Sequence, residues 1–130
     1  MGFLVFYATG GGFIDLLGRR IVVMHMTDRD ILAQLFSYGW PTPEQLVQFA
    51  NERHGYMGDD GYYGATYPSD LDEYQIEVER DFIPEGFVEI SYWDGAHKET
   101  TIKEQKYLEA LKAHLLSKGY YKLALVLRNA

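Results

Sequence analysis

The chain has 130 residues, of which 47% are hydrophobic and 15% aromatic, a size and composition that indicate one folded domain and exclude a disordered chain. It has no cysteine, which excludes disulfides and thiolate chemistry, and no apolar run approaches the roughly 20 residues that a membrane-spanning helix needs. Its net charge of −7 disfavours nonspecific binding to nucleic acid or to anionic membranes.

The first residues of the chain, Met1 to Leu4, lack the basic region of a secretory signal peptide. The absence of cysteine is typical of a protein from a reducing compartment. We therefore expect a cytoplasmic protein that forms a single domain over residues 1–130.

Charge is distributed unevenly along the chain. Residues 59–94 contain eleven acidic side chains and a single cation, Arg80. Residues 95–130 show the opposite tendency, with six lysines and Arg128 against three glutamates. Because a cationic surface is the natural complement of an acidic one, we expect the middle of the chain to favour a basic partner.

Two short β-rich runs lie near the N-terminus. The first, residues 3–7, is continuously apolar and aromatic and stops at Gly10–Gly12, as a mostly buried strand does when it enters a loop. The second run covers residues 20–25. The sequence therefore predicts a pair of N-terminal strands.

Two helices with clear start signals follow. Thr27 has an acid three positions later and then apolar residues at helical spacing, which predicts a helix over about 28–37. Thr42 is followed by Pro43 and by an acid in the first turn, which is a stronger helix start. We expect this second helix to end at Gly55.

The next region is predicted to be a long loop followed by a strand. Residues 56–69 are rich in glycine and tyrosine and show neither a helical nor a strand period, and long loops in compact domains are often functional. Residues 74–81 alternate with period two. Their apolar members would face the core, and the opposite face would carry an acidic row of Glu77, Glu79 and Asp81.

The rest of the chain is predicted to form a hairpin, a helix and a final strand. Residues 88–93 alternate, and Asp94-Gly95 is a good two-residue turn that returns the chain along residues 98–102. Thr101 and Glu104 have the spacing of a capping box, which predicts a helix over about 103–118 with one apolar stripe that ends by Gly119. The apolar run over 122–127 is predicted to close the sheet.

These elements predict an α+β fold, in which a mainly antiparallel sheet packs against two to three helices. The antiparallel part is expected over about residues 74–102, packed on the helix over about 103–118. A sheet with one apolar face and a helix with one apolar stripe each need a cover, and each can cover the other.

No pattern in the sequence identifies a catalytic chemistry. Gly10–Gly12 lacks the lysine and hydroxyl residue of a phosphate-binding loop, and no serine lies in a nucleophile elbow. The histidines lack metal-ligand spacing and are interpreted as ordinary surface or strand residues: His25, His54, His97 and His114. We therefore expect no enzymatic activity, no cofactor and no metal.

The strongest candidate is a protein-binding surface of aromatic and acidic residues. Tyrosine and tryptophan bury large areas at interfaces, and acids around them orient and attract a basic partner. The predicted partner-binding residues are Asp59, Asp60, Tyr62, Tyr63, Tyr67, Glu77, Glu79, Asp81 and Trp93. Two alternatives stay open: the tyrosines only pack the loop onto the domain, or the acid pairs form a solvated face.

A small, acidic, cysteine-free α+β chain without catalytic motifs resembles the immunity proteins of bacterial polymorphic and contact-dependent toxins. The resemblance implies a protein that binds and neutralises a cognate toxin domain, such as a nuclease. The acidic row would then bind where the nuclease otherwise binds the phosphate backbone of nucleic acid. The expected partner is that toxin or another basic protein, and direct contact with nucleic acid or membrane is not expected. The alternatives are a non-catalytic adaptor or subunit and a small carboxylate-based enzyme.

Overall fold

A four-stranded antiparallel sheet with helices packed against it forms the fold in the computed structural model, which describes residues 13–14, 20–21 and 26–129. The main sheet has its strands in chain order: β3 (Tyr56–Gly58), β4 (Tyr63–Thr66), β5 (Phe87–Trp93) and β6 (His97–Lys103). The helices are α1 (Asp28–Ser37), α2 (Pro43–Glu52), α3 (Glu73–Glu77), α4 (Glu104–Ser117) and α5 (Tyr121–Val126). The predicted α+β class is confirmed.

A separate two-stranded pair lies near the N-terminus. Strands β1 (Phe13–Ile14) and β2 (Arg20–Ile21) are antiparallel, and β2 begins where the second β-rich run begins. The predicted strand over residues 3–7 and the glycines Gly10–Gly12 lie outside the described residues.

Both predicted helix starts in the first half of the chain are confirmed. The Thr27 hydroxyl accepts a hydrogen bond from the Asp30 amide, and the Asp30 carboxylate accepts one from the Thr27 amide. Thr42 and Gln45 form the same reciprocal pair at the start of α2. Each pair satisfies two backbone donors that a helix N-terminus otherwise leaves without partners.

The end of α2 differs from the prediction. The helix ends at Glu52, and its capping residue Arg53 adopts a left-handed conformation with a φ of 52°, whereas Gly55 was expected to end the helix. Gly55 instead lies where the chain passes close to Ala65 and the Asp70 carboxylate, which a Cβ atom would meet. Its amide donates to that carboxylate at 2.9 Å, so the glycine permits a close approach rather than a left-handed turn.

The predicted long loop contains half of the sheet. Strands β3 and β4 pair as a hairpin around a tight 3-10 turn over Asp59–Gly61, and a second 3-10 turn follows at Pro68–Asp70. The prediction of an unstructured loop over residues 56–69 was therefore wrong. Each strand is too short to show a clear period, and the glycines that suggested a loop lie within or between the strands.

The predicted strand over residues 74–81 is absent, and a short helix, α3, occupies its first half. Asp72 accepts a hydrogen bond from the Gln75 amide, and the Gln75 side chain accepts one from the Asp72 amide. This capping box starts a helix and takes precedence over the period-two pattern. The helix unwinds where the Asp81 amide donates to the Gln75 carbonyl and Arg80 has a φ of 61°.

The hairpin of β5 and β6 is confirmed, but its register is shifted by one residue. Trp93 pairs with His97, so the loop has three residues, Asp94 to Ala96, rather than two. Gly95 has a φ of 96°, the left-handed conformation that favours glycine in such loops.

Helix α4 packs against β5, β6 and α1, as expected from its apolar stripe. Val88, Ile90 and Ile102 meet Leu111 and other stripe residues in one core cluster. The predicted capping box at Thr101 and Glu104 does not form, because Thr101 belongs to β6 and the residue before the helix, Lys103, makes no side-chain cap.

The carboxylate of Glu104 instead holds three parts of the chain together. It accepts hydrogen bonds from Arg53, at 3.1 Å, and from Arg128, and Arg53 also contacts Glu85 at 2.8 Å. Glu104 is buried, so both guanidinium groups are needed to offset the cost of removing its charge from water. The network ties the end of α2 to α4 and to the residues after α5.

The last predicted strand, residues 122–127, is helical and corresponds to α5. A continuous apolar run does not distinguish a strand from a helix, and leucine and alanine favour the helix. Ala124 and Leu127 are buried, whereas Leu125 is 82% exposed. Asn51 of α2 holds the end of the helix, since its side chain donates to the Val126 carbonyl and accepts from the Arg128 amide.

Candidate functional site

The segment 72–82, called here the acidic segment, exposes apolar side chains to solvent. Tyr74 and Val78 are each 61% exposed, Ile76 is 50% exposed and Phe82 is 78% exposed. No residue of α3 is buried, so the apolar half of the predicted alternation does not enter the core. Contiguous exposed apolar groups of this kind mark interaction sites more often than isolated ones do.

Carboxylates alternate with these apolar side chains. The acidic segment contains five acids and one cation, Arg80: the acids are Asp72, Glu73, Glu77, Glu79 and Asp81. Glu77, Glu79 and Asp81 were predicted to form a row on one face of a strand, and that geometry is wrong because Glu77 ends α3 and the other two follow it. All three are nevertheless exposed, so their charges remain available at the surface.

Two of the four predicted aromatic contact residues are buried. Tyr63 stacks on Tyr38 with ring centres 3.7 Å apart, and its hydroxyl donates to the Trp40 carbonyl at 2.8 Å. Tyr67 is 1% exposed, and burial raises its pKa to about 12. The alternative that tyrosines pack this region onto the domain is therefore correct for Tyr63 and Tyr67.

The other two aromatic residues, Tyr62 and Trp93, form an exposed edge-to-face pair with ring centres 5.2 Å apart. Gln34 of α1 fixes Trp93, because its side-chain amide donates to the Trp93 carbonyl at 2.9 Å and accepts from its amide. Asp59 and Asp60 precede Tyr62 in the tight turn and are exposed. The structure thus brings four of the predicted site residues to one end of the sheet.

One face of the sheet connects this aromatic pair with the acidic segment. Glu89, Ser91 and Trp93 lie on the face of β5 opposite Val88 and Ile90, and Ser91, in the middle of this row, is itself buried. Glu89 and Trp93 are four residues apart, or about 13 Å along the strand. Asp81 lies close enough to Glu89 to affect its titration. The two parts of the predicted site therefore adjoin the same sheet face.

A carboxylate pair on this face was missed by the sequence analysis. Glu89 of β5 and Glu99 of β6 are diagonal neighbours, because Ser91 pairs with Glu99 and Glu89 with Thr101. Partial burial, the neighbouring carboxyl group of Glu99 and the charge of Asp81 together raise the pKa of Glu89 to about 7. The predicted two-residue turn would have put the two glutamates on opposite faces, since a shift of one residue reverses every side chain.

Two clefts among the described residues lie away from this carboxylate pair. One is lined by residues of α4 and of the chain after α5, among them Leu108, Lys112 and Arg128. The other lies between α1 and the end of α4, where His114 packs on Phe36 with ring centres 5.5 Å apart. Burial and the nearby Lys118 lower the pKa of His114, which favours an uncharged imidazole against the phenylalanine ring.

In the part of the chain that the structure describes, His, Asp and Glu side chains form no group of three or more that could hold a metal ion. None of the helices in that part has the length and apolar character needed to cross a membrane. Comparisons of the chain with protein-family models, with curated proteins and with solved structures gave no match.

Proposed function

We propose that this chain is a non-catalytic binding protein of the immunity type, which neutralises a cognate basic toxin domain through its acidic segment. The observation that carries the proposal is the common exposure of four apolar side chains and five carboxylates within residues 72–82. The exposed Tyr62–Trp93 pair, with Asp59 and Asp60, supplies a second contact area.

The two kinds of side chain have different tasks in such a complex. Phe82 and Tyr74 offer apolar area that is removed from water when the partner binds, which slows dissociation. The surrounding carboxylates attract a cationic surface and increase the association rate. A nuclease active site must be cationic to bind phosphates, so an inhibitor with this surface can compete with the nucleic acid for it.

The proposal is tested with a purified nuclease toxin domain encoded beside the gene for this chain. Calorimetry gives its affinity for the wild-type chain and for a Glu77→Lys, Glu79→Lys variant, and a nuclease assay shows whether the complex is inactive. We expect the variant to bind at least thirtyfold more weakly, equivalent to about 2 kcal/mol, because reversed charges repel the basic surface.

A Glu52→Lys, Glu109→Lys variant is the matched control, because it also reverses two charges and because both acids are exposed on α2 and α4, outside both contact areas. It should change the affinity less than twofold. Equal effects of the acidic-segment and control variants would show that only net charge matters and would contradict the proposed surface. Tight binding without inhibition of the toxin would favour the alternative of an adaptor or subunit.

A carboxylate-based enzyme is the second candidate, and the raised pKa of Glu89 beside Glu99 favours it. A carboxyl group that titrates near neutrality can serve as a general acid or base. Neither of the two clefts described above is lined by this pair, which is why we rank catalysis second. Turnover of a glycoside or ester substrate that is lost in Glu89→Gln would reverse that ranking.

A further inference from the structure

A second exposed apolar surface lies at the other end of the chain and carries the opposite charge. This C-terminal surface consists of residues 116–126, in which Leu125 is 82% exposed and Tyr121 is 64% exposed. Its other exposed apolar members are Leu116, Tyr120 and Val126. Lys118 and Lys122 lie among them, and the sequence has no acidic residue from position 110 to position 130.

The orientation of α5 accounts for this exposure. Ala124 and Leu127 face the core, and the helix packs on α2 and α4. Tyr121 and Leu125 are four positions apart, so they are neighbours on the outward side of the helix. The network of Glu104 and Arg128 fixes the helix in this orientation, which keeps the apolar pair in solvent.

Charge complementarity decides what fits this surface. Two C-terminal surfaces placed face to face would bring Lys118 and Lys122 of both copies into one interface, in which neither surface offers an acidic residue to pair with them. The acidic segment, in contrast, presents apolar side chains of similar exposure together with five carboxylates. Like charges at an interface are disfavoured and opposite charges are favoured.

We infer that the C-terminal surface of one copy binds the acidic segment of a second copy, in a head-to-tail contact. Because the two surfaces differ, each bound copy keeps one of them free, so further copies can add until a ring closes or the chain of copies ends. The contact would also compete with a toxin for the acidic segment. The inference goes beyond the proposed function and is tested without any toxin.

Sedimentation of the purified chain from micromolar to millimolar concentration tests the inference. We expect the wild type to form dimers and larger species as concentration rises, and to dissociate in about 1 M salt, where the Debye length falls to about 3 Å. A wild type that stays monomeric throughout this range would overturn the inference. Association that is insensitive to salt would overturn the role of charge.

Two double variants separate the head-to-tail contact from other contacts. Tyr121→Ser with Leu125→Ser removes the apolar part of the C-terminal surface, and Tyr74→Ser with Phe82→Ser removes that of the acidic segment. Each double variant alone should associate at least tenfold more weakly than the wild type. A mixture of the two should recover association but stop at two copies, because only one intact pair of surfaces remains.

Recovery of a dimer in the mixture would also exclude misfolding of the variants, since unfolded chains could not form a defined dimer. If the acidic-segment variant alone still associates like the wild type, the contact joins two C-terminal surfaces and the inference is wrong. If the mixture fails to associate, the two surfaces do not bind each other and the inference is equally wrong.

Discussion

The acidic segment and the C-terminal surface both expose apolar side chains, but they are attached to the domain in different ways. Helix α3 buries no residue, and the nearest buried positions along the chain are Tyr67 before it and Ile83 after it. Helix α5 buries Ala124, and the ion network at Arg128 secures the residues that follow it. The apolar side chains of the two regions are therefore exposed for different reasons. Helix α3 lacks core contacts, whereas α5 is held in an orientation that leaves Tyr121 and Leu125 in solvent.

The largest expected effect comes from breaking the attachment of α5. Glu104→Ala leaves the partly exposed guanidinium groups of Arg53 and Arg128 without their shared carboxylate, and the loss of these charge-assisted hydrogen bonds costs about 2 kcal/mol. Urea unfolding measures the free energy change. Glu109→Ala on the exposed side of the same helix is the control, and an equally small change in both variants would contradict the anchoring role of the network.

Helix α3 has no residue in the core, so its local stability should depend on its capping box. Asp72→Ala removes one side of that box and should destabilise α3 by about 1 kcal/mol, which hydrogen exchange at the amides of Gln75 and Ile76 detects. Global stability should change little, because α3 has no residue in the core. Thr42→Ala, at the corresponding position of α2, should lower global stability, since α2 contributes Leu46 and Val47 to the core. Equal losses of global stability in Asp72→Ala and Thr42→Ala would contradict the expected difference between α3 and α2.

Stability should depend on pH through Glu89, which lies near Asp81 of the acidic segment. The pKa of Glu89 is raised from its ordinary 4.5 to about 7 in the folded chain, so its charge destabilises the fold. The penalty is absent below about 4.5, grows as pH rises and is complete above about 7. After allowance for solvent screening, Glu89→Gln should gain about 1 kcal/mol at pH 8 and almost nothing at pH 4. A gain of the same size at pH 4 and pH 8 would show that it does not arise from the charge of Glu89.

The smallest effects are expected from the exposed apolar residues themselves. Phe82→Ser and Leu125→Ser should each change the free energy of unfolding by less than about 0.5 kcal/mol, because surface positions contribute little to stability. Leu111→Ala in the core should cost about 2–5 kcal/mol and serves as the reference. A loss above about 1 kcal/mol in either serine variant would show that the side chain packs against the domain.

Helices with an apolar stripe were predicted well from the sequence, as α1, α2 and α4 show, and the predicted caps form in α1 and α2 but not in α4. The errors fell where two patterns competed over a few residues. At 72–78 the capping box of Asp72 and Gln75 took precedence over a period-two pattern, and at 121–126 helix propensity decided an apolar run that has no period. Glu89 and Glu99 lie on the same face because the loop between β5 and β6 has three residues and not two. The Asp94-Gly95 signal does not fix that length.

The meander order of the sheet also determines which part of the chain can change without affecting the rest. Thr66 of β4 pairs with Glu89 of β5, so the sheet itself holds together the two ends of the connection between these strands. Between Asp70 and Ile83 this connection has no buried residue. A change in its length should cost little, because the entropy of closing a loop varies slowly with loop length. The length and the side chains of the acidic segment can therefore change while the core sequence stays as it is.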